Sequence, residues 1–326
     1  MRRMSKTASV LLVVGLLLAG SPLYAGDFAK VGTTGSDFLK IPIGTRGVAM
    51  GNGFSALSND ITAMFWNPAG LTNMKGKGVY LERINWLADI SYNAVGVAYN
   101  LNPFWAVGVF GAVMNSGDIP VTTVEQQNGT GETFSVNNFV AGVSIASKLT
   151  DKFSFGANIK YVHEDLDKEI SGSYAVDVGT IYDTRWNTMR ISMNIRNFGP
   201  EIQLAGEYHD WDNGAQLPDP QSYLAYHFPM VFRLGVALDP IQSATNRLTV
   251  VGELEHPNDN VERINVGGEY AFQEMFFLRG GYTFNHDSLG MSAGVGAKFA
   301  GFEIDYTISD FSVLDLVHRF SIQFGF

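Results

Sequence analysis

The sequence predicts an all-β protein that closes into a transmembrane β-barrel. Three observations carry that reading. The first is the last stretch of chain, where Phe320, Ile322, Phe324 and Phe326 alternate with Arg319, Ser321, Gln323 and Gly325. Side chains alternate faces along a strand, so this segment is apolar on one side and polar on the other. It ends on the apolar face, and an open edge of that kind invites aggregation unless a barrel closes it. The second is composition: 46% hydrophobic and 13% aromatic residues with only 17% charged, at a mean hydropathy of +0.04, is charge-poor for a secreted soluble protein. The third is the absence of any apolar run after the N-terminus long enough for a membrane helix, which leaves strands as the way to meet lipid. The alternative is a soluble sandwich with a sticky edge strand.

In chain order, Arg2, Arg3 and Lys6 form a positive start, Ala8 to Gly20 an apolar core, and Ser21-Pro22 a break. This is the pattern of a secretory signal peptide over residues 1–25, cleaved near Ala25, and it is too short and wrongly flanked for a transmembrane helix. Leu23 is larger than the residue usual at that place before a cleavage site. Removing the three positive charges takes the net charge from −10 to −13, which argues against a nucleic-acid partner. The chain has no cysteine, so thiolate chemistry, disulfides and a lipoprotein anchor are excluded.

Residues 26–76 form a separate N-terminal segment, rich in Gly, Ala, Ser and Asn, without strand alternation. Asp60 is placed to cap a helical turn over Ile61–Phe65, and Asn67-Pro68 ends it. Three pieces stand in order here: Arg46-Gly47-Val48-Ala49-Met50-Gly51, Ser55-Ala56-Leu57-Ser58-Asn59-Asp60, and Ala63-Met64-Phe65-Trp66-Asn67-Pro68-Ala69-Gly70-Leu71. Together they resemble the N-terminal signature of the PorV/PorQ family of outer-membrane proteins, and more distantly the FadL-type long-chain fatty acid transporters. The terminal aromatic likewise resembles the end signal of bacterial outer-membrane barrels. The resemblance implies a barrel of about 14 antiparallel strands in the outer membrane, with 26–76 as a partly helical plug in the lumen. Asp60, Asn67, Pro68, Ala69 and Gly70 form the plug motif; the plain alternative is that they only cap and turn the backbone.

Residues 77–326 then read as strands near 78–86, 90–99, 104–114, 136–147, 153–164, 172–182 and 189–197. The second half adds 230–238, 247–256, 261–271, 275–284, 290–299, 301–309 and 318–326. With the termini in the periplasm, the two longest connections, 115–135 and 198–229, fall on the outer side, as external loops do. The non-lipid faces of the later strands carry Glu253, Glu255, Arg263, Glu269, Arg279, Lys298, Glu303, Asp305 and Arg319. Interleaved signs suggest a cross-strand charge lattice lining a narrow or plugged lumen, because buried charges are costly unless paired, whereas ion-selective pores use rings of one sign.

No enzymatic or metal motif stands out. The six histidines show no ligand spacing, and neither His-Glu-x-x-His nor Gly-x-Ser-x-Gly occurs. Asp210-Trp211-Asp212-Asn213-Gly214 lacks the full ligand series of a calcium loop and reads as a loop tip. The sequence therefore points to a non-enzymatic chain without a cofactor. One function implied by the resemblance is carriage of hydrophobic small molecules, with Phe54, Met64, Phe65 and Trp66 as candidate ligand contacts, an apolar pocket between plug and wall, and a lateral opening or kinked strand. The other is a type IX secretion role, in which outer loops bind exported or secretion-system proteins. For that role loop 198–229 offers Tyr208, Trp211, Pro218, Pro220, Tyr223 and Tyr226. A soluble binding protein is the third possibility.

Overall fold

The computed structural model describes residues 31–212 and 215–325. The signal segment with its cleavage site, and Phe326, lie outside the described residues. Fourteen strands close into one antiparallel barrel. In chain order they are β1 (Lys77–Asn85), β2 (Ser91–Asn100), β3 (Trp105–Asn115), β4 (Asn137–Lys148), β5 (Phe153–Leu166), β6 (Glu169–Asp183) and β7 (Arg190–Phe198). They continue as β8 (Val231–Gln242), β9 (Asn246–Pro257), β10 (Arg263–Phe272), β11 (Phe276–Phe284), β12 (Met291–Phe299), β13 (Phe302–Asp310) and β14 (Leu316–Gly325). Each strand pairs with its neighbours in sequence. Closure comes from β1 against β14, from Gly78 opposite Gly325 to Asn85 opposite His318. No edge is left for another chain to extend.

The alternation read from sequence sets the two faces. Leu278 is 63% exposed and its neighbour Arg279 3%; Ile304 is 57% exposed and Asp305 2%. A one-residue slip would carry these charges to the outside, at about 2–4 kcal/mol for an Arg or Lys at the midplane. Outward aromatics gather toward the strand ends: Tyr99, Trp105, Phe276, Phe299 and Phe302 at the end holding the C-terminus, and Tyr174, Phe232, Tyr282, Phe284 and Phe320 toward the other. Two such girdles bracket the apolar band of an outer-membrane barrel. Connections 116–136 and 199–230, the longest, leave the barrel at the end opposite the C-terminus. By the rule of long external loops that end is outside, and the end where β1 begins and β14 finishes faces the periplasm. The expectation of both ends in the periplasm is not met by the first described residues, which lie at the outer mouth: Gly35 donates to the His227 carbonyl (3.1 Å) and Thr34 to Asp259 (2.7 Å).

Several connections are shorter than the sequence suggests. Residues 164–171 were expected to form a loop, yet β5 and β6 stay paired up to Leu166 opposite Glu169. The polar run is held in the sheet because Glu164 accepts bonds from Ser36 (2.9 Å), Ser171 (3.2 Å) and Tyr226 (2.8 Å). Likewise β8 runs on to Gln242, through a register shift between Leu238 and Ile241, because Asp239 is bound by Arg190 (2.9 Å) and Thr249 (2.7 Å). In 199–230, a two-stranded hairpin (Glu207–Asp212 with Ala215–Ser222) stands outside the barrel. Pro218 and Pro220 are tolerated because each of its two strands has a free edge.

The N-terminal segment lies inside the barrel. It is built of single turns: 3-10 turns Asp37–Lys40 and Pro68–Asn73, and helices α1 (Thr45–Ala49) and α2 (Ala63–Trp66). The sequence put the second helical turn at Ile61–Phe65. Asp60 does cap that turn, accepting the Thr62 N–H (2.9 Å), and Thr62 has helical backbone angles. The α-helix itself starts at Ala63 because the first bonds are of the i to i−3 type, Ala63 to Asp60 (3.1 Å) and Phe65 to Thr62 (2.8 Å). Turns this short have no stability of their own. They persist because the wall bonds their backbone from many sides. Thr307 donates to the Thr45 carbonyl (3.0 Å), Thr283 to Gly51 (3.2 Å) and Asn158 to Met64 (2.8 Å). Asn67 donates in turn to the Thr180 carbonyl of β6 (3.1 Å).

Candidate functional site

Besides the buried Lys160–Asp177 pair of β5 and β6 (2.7 Å) and Glu82 of β1, which accepts from the Gly44 N–H (2.7 Å) and the Thr45 hydroxyl (2.8 Å), two constellations inside the barrel involve polar chemistry. One is the charge cluster that ties the segment to the wall. Arg46 of α1 makes a bidentate pair with Glu269 (2.7 and 2.8 Å) and turns its remaining nitrogen to Asp60 and Asn59 (both 2.8 Å). Glu269 also accepts from Arg279 (2.7 Å) and Arg247 (3.0 Å). Arg279 continues to Glu303 (3.2 Å) and Asp305. Lys298 stands at the inner rim, half exposed, 3.6 Å from Glu303. Farther round the wall, Arg233 meets Glu255 (3.0 Å) and Arg263 meets the same carboxylate (3.3 Å). Glu253 accepts the Ser55 N–H (2.9 Å), and Arg319 donates to the Pro42 carbonyl (2.7 Å). The wall charges thus bond both to one another and to segment backbone groups that would otherwise be orphaned.

The other is a cavity of about 420 Å³ at the outer mouth, half enclosed between segment and wall. Phe38, Ile41, Trp86, Met114, Leu289 and Phe311 give it an apolar body. Arg233, Asn52 and Asn265 also reach it, and Arg233 Nη1, Asn52 Oδ1 and Asn265 Oδ1 are buried with no hydrogen-bond partner among the described residues. Apolar walls with a few unspent polar groups are the usual form of a small-molecule site. His286, in the connection after β11, lines the same space and accepts the Ser288 and Leu289 N–H groups (3.2 and 3.0 Å) through Nδ1. Burial, with Arg263 nearby, lowers its pKa below the ordinary histidine value, so the imidazole is neutral there.

At the rim, Lys40 pairs with Asp259 in the β9–β10 connection, which also accepts from Thr34 (2.7 Å). Burial alone would raise the Asp259 pKa, but the bonds from Lys40 and Thr34 outweigh it and hold it below the ordinary value. A carboxylate with a depressed folded pKa contributes stability above its unfolded pKa, and loses it as pH falls through the folded one. Acidification below about pH 4 should therefore loosen residues 34–40. Hydrogen exchange of that stretch would report it, and Asp259→Asn should show the loosening already at neutral pH.

A sequence model of the family described as Type IX secretion system protein PorV matches residues 25–257. The chain belongs to the PorV family. No curated protein matches it. Among solved structures, the Pseudomonas putida toluene transporter TodX aligns with a TM-score of 0.59 at 14% identity, covering 87% of this chain and 98% of that one. The CymD monoaromatic hydrocarbon channel aligns with a TM-score of 0.57 at 13% identity, covering 88% and 98%. At such identities the likeness is one of fold: this PorV-family chain is a barrel of the kind found in outer-membrane channels.

In this PorV-family barrel the ordered N-terminal motif serves close packing. Asn67 accepts the Ala69 N–H (3.2 Å) and donates to Ser55 (3.2 Å), while Pro68 opens the following 3-10 turn. Ala69 lies against Gly156 of β5, where a side chain would collide with the backbone of Pro68 and Ala69. Gly70 is equally constrained, since a Cβ there would run into the Ser58 carbonyl. Asp60 bridges Thr62 and Arg46.

The candidate ligand contacts lie deep in the segment. Phe54, Met64, Phe65 and Trp66 are all at most 4% exposed, and none lines the outer cavity. Phe54 packs edge-on against Trp66 (5.8 Å), and Phe65 against Phe110 (5.2 Å). They are core residues joining segment to wall, and the cavity is lined instead by Phe38 and Ile41 from earlier in the segment. Nor does the wall show a lateral gap: backbone pairing continues round all fourteen strands, with register shifts only near Val176–Val178 and Leu238–Ile241. Sequence reasoning missed Arg46, Glu82, Arg233 and Arg247. Glu82 was detectable, since it shares the alternation phase of Tyr80 and Ile84. Arg46 was not, because an irregular segment has no phase to read. Of the loop tip at 210–214, Asn213 and Gly214 lie outside the described residues.

Proposed function

We propose that this protein is a non-enzymatic carrier of hydrophobic compounds across the outer membrane, and that the outer cavity is where they are first held. The observation behind this is the cavity itself, half enclosed, mostly apolar in surface but edged by Asp37, Lys40, Glu255 and Arg263, with Arg233, Asn52 and Asn265 placed to orient a polar end of the guest. The TodX toluene transporter and the CymD channel, named for hydrocarbon passage, support the reading by fold. Since the segment fills the lumen below the cavity, passage requires that it shift. Cells carrying the gene should take up labelled toluene or oleate several-fold faster than cells without it. Leu289→Trp, which fills the cavity, should return uptake to background. Equal uptake with and without the gene would dismiss the reading.

A second reading rests on the family and on the external hairpin. Tyr208 and Tyr223 pack there with their rings tilted, centroids 5.1 Å apart, and Leu224 beyond them is 84% exposed. Such a surface suits exported proteins of a type IX secretion system. Replacing 207–222 by a short Gly-Ser linker should abolish co-purification of exported proteins and leave uptake intact. Unchanged co-purification would remove this role from the hairpin.

A further inference from the structure

The outer wall carries a site of its own, independent of the lumen. Lipid-facing positions between the strand ends are apolar or weakly polar almost throughout. Arg83 breaks the pattern. It is exposed on the outward face of β1, two residues short of the strand's outer end, and among the described residues it is the only Arg or Lys on that face away from a strand end. Its Nε donates to Asn85 (3.3 Å), and no carboxylate pairs with it among the described residues. Asn93 stands directly opposite on β2, also facing outward.

Beside Arg83 the wall is hollow. A groove of about 720 Å³ runs over β14, β1, β2, β3 and β4. Its cause lies in the register. The outward row next below Arg83 passes from Leu81 to Val95, then Gly111, then Ala141. Two of those four positions lack a side chain larger than methyl. A Cβ on Gly111 would meet only the Val140 carbonyl, at 3.4 Å, so the space over it is open. Phe139 and Phe320 bound the groove on either side. The result is an apolar trough with a cation at its outer end.

A guanidinium at this place favours an anion, because it stands beside hydrocarbon with Asn85 as its one internal partner and no carboxylate among the described residues. Its planar fork suits phosphate. Arg83 stands opposite Phe320, one of the outward aromatics of the outer girdle, and the trough beneath has the volume to take an acyl chain. We propose that Arg83 and the Leu81–Ala141 trough bind a phosphorylated, acylated glycolipid of the outer leaflet, its phosphate on Arg83 and Asn93 and one acyl chain over Gly111 and Ala141. The bound lipid restores an unbroken cylinder where small side chains leave it hollow.

Native mass spectrometry of the full chain in mild detergent tests this, with diphosphoryl lipid A and its enzymatically dephosphorylated form as probes. The wild type should bind the phosphorylated form about tenfold more tightly, the scale of one charge-assisted contact. Arg83→Gln should abolish that preference. Ala141→Trp, which keeps Arg83 and fills the trough, should weaken both forms. Both changes face lipid and leave the lumen untouched, and heat-modifiable migration would show that the variants fold. Equal binding of the two forms by the wild type, or a preference retained by Arg83→Gln, would overturn the proposal. So would a photo-crosslinker at Val95 that captures a protein in native membranes and no lipid.

Discussion

Gly281→Val will expel the N-terminal segment from its seat. The Cβ of any residue there would fall on the backbone of Met50 and Gly51, and backbone cannot rotate aside as a flexible side chain can. Gly51 is locked in turn: its φ is +63°, in the left-handed region, and a Cβ on it would strike the backbone of Tyr282. Overpacking of this kind costs about 1–3 kcal/mol when side chains can adjust, and more when they cannot. The barrel strands can still pair, so the expected result is a folded barrel whose residues 37–74 become protease-sensitive and whose lumen conducts in planar bilayers. Gly280→Val is the matched control. It lies one residue away on the outward face, with no atom within 4 Å of its Cβ, and should change neither readout.

Arg46→Met will destabilise the whole protein more than any exposed substitution. It leaves Asp60 with no other cationic partner among the described residues, and deprives the fully buried Glu269 of its bidentate partner. Removing one member of a buried ion pair costs about 3–5 kcal/mol, mostly because the other charge stays buried. The lower end is expected, because Arg279 and Arg247 still reach Glu269. Urea unfolding in lipid vesicles would measure it. Arg46→Lys keeps the charge but loses the fork, and should fall between wild type and Arg46→Met. Equal stability of Arg46→Met and wild type would mean that the cluster does not anchor the segment.

The wall was legible in the sequence because a period of two is a strong signal when one face meets lipid. Phe276 to Phe284 and Met291 to Phe299 show it residue by residue, and the bounds read there, 275–284 and 290–299, fall within one residue of those observed. The signal failed where polar residues stay in the sheet, as at Glu164 and Asp239. Their partners Tyr226 and Arg190 come from elsewhere in the chain, which no local pattern reveals. The motif at Asn67-Pro68-Ala69-Gly70 was visible as a set, but its reason was not. That reason is the bare backbone of Gly156 and Gly179 across the lumen, over eighty residues away in sequence. Phe54, Met64, Phe65 and Trp66 were candidates for ligand contact because large apolar side chains suit both a pocket and a core. Only the depth of the segment decides between the two.

Residues 36–74 fill a lumen whose charges hold them there. Ala56 and Gly235 test it directly. A Cβ on Gly235 would lie 3.4 Å from that of Ala56, close to the spacing a disulfide needs; only the side-chain ends of Ser192 (2.8 Å) and Glu253 (3.1 Å) are nearer, and both can turn aside, while the natural chain has no cysteine to compete. Ala56→Cys with Gly235→Cys, folded in the outer membrane and mildly oxidised, should form an intramolecular bridge that alters migration of the denatured chain until it is reduced. Two free thiols in a folded, heat-modifiable barrel would place the segment somewhere other than against β8, and would contradict the claim.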